Sequence, residues 1–86
     1  MDPIASKGDL LLDGKVRIDR VFKTRDMASH TYVLSFPGLP SSSDGPITGT
    51  VQIGYSQSAA TRKRDLATSV RRALFDAQRA AKLPPK

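Results

Sequence analysis

The residues of this sequence best able to do chemistry are its cations, and most of them sit at one end. Residues 61–86 contain eight (Arg62, Lys63, Arg64, Arg71, Arg72, Arg79, Lys82 and Lys86) against two acids, Asp65 and Asp76. Residues 1–60 contain six cations (Lys7, Lys15, Arg17, Arg20, Lys23 and Arg25) and six aspartates (Asp2, Asp9, Asp13, Asp19, Asp26 and Asp44), which cancel. The formal charge of +6 therefore belongs entirely to the C-terminal stretch. Such asymmetry is the electrostatic footprint of a chain that meets a polyanion. The plainer alternative is a solvated basic face that serves solubility.

Other chemistries find little to work with. The single histidine, His30, stands at the start of an apolar alternation and reads as a structural or edge residue before a catalytic one. The aspartates are scattered, several beside turn glycines where their carboxylates bond local amides. No pair has metal or general-acid spacing, Ser41–Ser43 has no base nearby in sequence, and no phosphate-cradling glycine motif occurs. Without cysteine there are neither disulfides nor thiolate metal sites. The expectation is a non-enzymatic protein with no cofactor and no metal.

The elements that must position the cations are legible from period and punctuation. Residues 1–9 read as a flexible N-terminal arm, 10–83 as one domain and 84–86 as a tail. Asp13-Gly14 between Leu10-Leu11-Leu12 and Lys15-Val16-Arg17-Ile18 is a hairpin signal. Alternation then sends Val16, Ile18, Arg20 and Phe22 one way and Lys15, Arg17, Asp19 and Lys23 the other. A loop follows over 24–29. A second strand runs from about His30 to Phe36, with His30, Tyr32, Leu34 and Phe36 on its apolar face. Residues 40–46 form a loop dense in turn formers. A third strand covers 47–55, where Gly49 and Gly54 suggest a bulge. Ser56 or Ser58 caps a helix whose stripe is Leu66, Val70, Ala73, Leu74, Ala77 and Ala81, and Pro84-Pro85 stops it. The fold class is α+β: a small antiparallel β-meander of three to four strands followed by one C-terminal amphipathic basic helix.

Placed on these elements, the cations make two surfaces. On the helix, Arg62, Lys63 and Arg64 crowd the first turn, where the macrodipole disfavours cations by about 0.3–1 kcal/mol each. Arg71, Arg72, Arg79 and Lys82 continue the series. A local rule broken with no gain in folding points to binding, because phosphate contacts release counterions and offset the repulsion. On the sheet, Lys15, Arg17, Lys23, Thr31, Ser35, Thr48, Thr50 and Gln52 share the polar side and form a weaker candidate phosphate surface. That side lacks aromatics, because Tyr32, Phe36 and Tyr55 alternate away from it.

The order of Gly14-Lys15-Val16-Arg17-Ile18, Thr31-Tyr32-Val33-Leu34-Ser35-Phe36, and Val51-Gln52-Ile53 leading into Ser58-Ala59-Ala60-Thr61-Arg62-Lys63 resembles the coat proteins of small single-stranded RNA phages, over about residues 14–75. The resemblance implies an antiparallel sheet followed by helices that clasp a second subunit, with one sheet surface facing RNA. It also implies that the polar sheet positions above are the RNA-facing ones. The chain departs from that family in being shorter, in carrying its charge on the helix, and in a 40–46 loop short for the usual extra strand.

The expected function is therefore a nucleic-acid-binding protein, RNA favoured over DNA, of viral coat type and assembling from homodimers. A chain this small is often completed by a partner copy. The alternatives are a free-standing DNA- or RNA-binding regulator and an interaction module that docks its basic helix on an acidic partner. The longest apolar runs are far short of the roughly 20 residues of a membrane span, and no signal peptide is read at the start. A cytoplasmic or virion location is expected, with no membrane partner.

Overall fold

A computed structural model describes residues 2–41 and 45–82. Four antiparallel strands, β1 (Leu10–Leu11), β2 (Val16–Lys23), β3 (Ser29–Ser35) and β4 (Thr48–Gly54), form one sheet in sequential order, and a single helix, α1 (Ala59–Lys82), follows. The α+β meander-plus-helix expected from the sequence is the fold observed. The tail 84–86 and the middle of the 40–46 loop lie outside the described residues.

The Asp13-Gly14 signal makes the β1–β2 hairpin. Leu12, Asp13 and Gly14 all have positive φ, 52°, 57° and 81°, and the Lys15 amide donates to the Leu12 carbonyl at 3.1 Å, closing the four-residue connection between the paired Leu11 and Val16. At the other end, the Ser58 hydroxyl oxygen accepts the Thr61 amide hydrogen at 3.2 Å, capping α1. Replacing that oxygen in Ser58→Ala is expected to cost about 0.5–2 kcal/mol, read as a lower urea midpoint with an unchanged slope.

One face of the sheet meets α1. Val16, Ile18, Tyr32, Leu34, Phe36, Val51 and Ile53 from the sheet and Leu66, Val70 and Ala77 from the helix form the buried core. Gly49 does not mark a bulge, since the β3–β4 register is continuous. A Cβ there would stand 3.4 Å from the Phe36 ring and 3.8 Å from the Ala73 Cβ, so the residue is small because ring and helix come close.

Two expectations require correction. The slip in phase falls in β2, between Ile18 and Arg20, where Asp19 is the extra residue of a bulge. Register pairs Ile18 with Leu34 and then Val21 with Tyr32 and Lys23 with His30, so Val21 and Lys23 join the helix side. Arg20 and Phe22, opposite Val33 and Thr31, turn to the outer face. The start of the chain is not a free arm either. Ala5 is buried, the Ile4 amide donates to the Tyr32 hydroxyl at 3.1 Å, and the Gly8 amide donates to the Ile18 carbonyl at 2.7 Å. These contacts pack Ala5 into the core and Ile4 against it, beside the short β1.

Candidate nucleic-acid interface

Helical geometry sorts the C-terminal cations. Arg64, Arg71, Phe75 and Lys82 are spaced by seven, four and seven residues, whole turns of a 3.6-residue helix, and all are exposed. They form one ridge opposite the buried Leu66–Val70–Ala77 stripe, and Arg72 and Arg79, also exposed, run beside it. At 1.5 Å per residue the ridge spans about 27 Å from Arg64 to Lys82. Asp76, one turn beyond Arg72, borders it, and Asp65 lies on the same flank half-buried. Among the described residues no helix cation forms an ion pair; the pair that does form is Arg17–Asp19 on the sheet. Phe75, 59% exposed, sits mid-ridge with the Arg79 guanidinium carbon 5.9 Å from its ring centroid.

Arg62 and Lys63 do not join this ridge. Arg62 continues the apolar stripe one turn upstream of Leu66, is only 8% exposed, and its Nε is buried without a hydrogen-bond partner. Lys63 is exposed at the rim of an apolar groove, together with Ile4, Leu12 and Leu66. The sequence grouped three neighbouring cations, whereas the helix sends them in three directions.

The outer sheet face holds Arg17, Thr31, Ser35, Thr48, Thr50 and Gln52 together, as alternation places them. Lys15 is exposed in the hairpin turn beside this face. Lys23 is absent from it, displaced by the bulge. What the sequence reading missed is Arg20 and Phe22, brought there by the same bulge, with the Arg20 guanidinium carbon 5.0 Å from the Phe22 centroid. The missing signal is the apolar Val21, which is out of phase with Ile18. Asp19 accepts hydrogen bonds from Arg17 Nε at 2.8 Å and from the Ser35 hydroxyl at 3.0 Å. The Arg17 bond, chief among these, holds the Asp19 carboxyl below its ordinary value. Part of the Arg17 charge is thus already answered within the face.

His30 is buried, its ring tilted against Tyr55 at a centroid distance of 4.9 Å. Burial first, then the nearby Lys23 and Arg62 charges, push its pKa below the ordinary histidine value of 6.5. The unfolded chain then binds the extra proton below pH 6.5, so stability is complete above that pH and declines as pH falls toward the folded-state value. The urea midpoint is expected to drop between pH 7 and pH 5, and His30→Phe should flatten that part of the profile, since His30 is the sole histidine.

Among the described residues no group of His, Asp or Glu could hold a metal ion, and no helix is long and apolar enough to cross a membrane. No protein-family model, curated protein or solved structure matches the chain.

Proposed function

We propose that this chain is a non-enzymatic nucleic-acid-binding protein that holds a phosphate backbone, RNA in preference to DNA, along the solvent ridge of α1. The observation that carries the reading is the exposed series Arg64, Arg71, Arg72, Arg79 and Lys82, five cations on one side of one helix with no ion pair among the described residues. Five unanswered charges repel one another, and a row of phosphates relieves that repulsion while releasing counterions to solvent. Asp76 alone borders the exposed row, and a face built only for solubility would be better served by more interspersed acids.

The preference for RNA, and a coat-type assembly from dimers, rest on the resemblance to the phage coat proteins and on the sheet. The outer sheet face lies opposite α1, carries arginine and hydroxyl groups, and ends at the full-length edge strand β4. A second copy pairing along β4 would extend one continuous face, as in those coats. The absorbance ratio at 260 and 280 nm of freshly purified protein tests the binding reading. Co-purifying polynucleotide raises it well above the value of protein alone, and a protein-only ratio after low-salt purification contradicts it. Size exclusion and electron microscopy test the assembly: large particles are expected, and a uniform small dimer or a strict monomer at high concentration contradicts a coat-type assembly.

A further inference from the structure

The ridge contains one residue that phosphate binding does not explain. Phe75 stands in the middle of the arginines, 59% exposed, with Arg79 over its ring. The packing of α1 does not need it, because the buried stripe of the helix is Leu66, Val70 and Ala77 on the opposite side. The arrangement recurs. Of the three phenylalanines, Phe36 is in the core, while Phe22 and Phe75 are exposed and each carries a guanidinium over its ring.

We infer that the α1 ridge is built for single-stranded nucleic acid, with an unpaired base stacking on the Phe75 ring while the flanking arginines hold the phosphates on either side. This rests on the proposed backbone-binding function and adds the class of strand. An aromatic face can stack only on a base whose own face is free, and bases inside a duplex are already stacked on their neighbours. A guanidinium is itself a stacking plane, so Arg79 over the Phe75 ring sets a cation beside an apolar aromatic surface, a combination suited to a base and its phosphate together. A duplex would need only the charges, and the apolar ring would then stay in water or face its grooves.

The sequence contains no tryptophan, so Phe75→Trp introduces a single reporter at the site. The probes are a labelled 20-nucleotide oligouridylate and a 20-base-pair RNA duplex of mixed sequence, each titrated at low salt against the full chain. Oligouridylate is expected to bind more tightly than duplex and to quench the emission of the Phe75→Trp protein at saturation. Phe75→Ala, at an exposed position where the fold has little to lose, should bind oligouridylate about tenfold more weakly, the effect of one stacked base, and leave duplex affinity unchanged. Unquenched emission at saturation, or equal oligouridylate binding by Phe75→Ala, overturns the inference. If Arg71→Glu/Arg72→Glu still abolishes binding in that case, backbone recognition stands and stacking alone fails. If neither probe binds, both fail. A Phe75→Ala protein that changes from dimer to monomer with unaltered affinity per chain also overturns it, assigning the ring to a contact between copies.

Discussion

Reversing two charges in the middle of the ridge, Arg71→Glu with Arg72→Glu, is expected to weaken binding of a 20-nucleotide single strand by about three decades in 0.1 M salt. Each phosphate contact on a single strand contributes a salt exponent of about 0.7, or roughly fivefold in affinity at this salt concentration. Two neutralised contacts, as in Arg71→Gln/Arg72→Gln, should cost about 25-fold, and reversal adds a repulsion of similar size. Both side chains are exposed and form no ion pair among the described residues, so the fold loses nothing by the change. Arginine, glutamine and glutamate have nearly equal helix propensity, so thermal midpoints should agree within a few degrees. Fluorescence anisotropy reads the affinity. A double reversal that binds as wild type does would remove the ridge from the binding surface. Arg62→Gln behaves differently: its position in the buried stripe means that it should change stability before affinity.

The largest loss of stability is expected at Leu34→Ala. Leu34 has no exposed surface and sits in the central strand β3, paired with Ile18 on one side and Gly49 on the other. The glycine has no side chain to fill the vacated space, which only a shift of larger neighbours could close. Such truncations cost about 2–5 kcal/mol. A domain of this size has only about 4–13 kcal/mol in total. At about 4–8 °C per kcal/mol, the thermal midpoint should fall by about 8 °C or more, and at the upper end the chain is unfolded near 37 °C. Circular dichroism melting measures this, and a shift under 4 °C would mean that the core is not centred on β3.

Much of this architecture is written in local pattern. The Asp13-Gly14 turn, the Ser58 cap, the strands around Tyr32 and Val51, and the stripe from Leu66 to Ala77 each follow from period or turn chemistry within a few residues. The bulge at Asp19 was harder to see. A period-2 count over eight residues fits equally well with one slip, and only the apolar Val21 marks where it occurs. The burial of Ala5 and the Ile4–Tyr32 hydrogen bond join residues 28 apart in sequence, and no local pattern encodes such a contact. Arg62 is a different case. The stripe extended back by four residues from Leu66 lands on it, but arginines are rarely buried unpaired, so the residue type alone points to the surface. The basic ridge was legible as a charge excess. Its separation from Arg62 and Lys63, and the place of Phe75 within it, required the helix phase.

If the ridge cations exist to meet phosphates, binding must weaken steeply with salt, and a salt titration reads this directly. Affinity for the 20-nucleotide oligouridylate, titrated from 20 to 200 mM monovalent salt, should fall linearly on a double-logarithmic plot. The expected slope is about −3.5, the value for five phosphate contacts on a single strand. A slope near zero, or no binding at 20 mM salt, would contradict it.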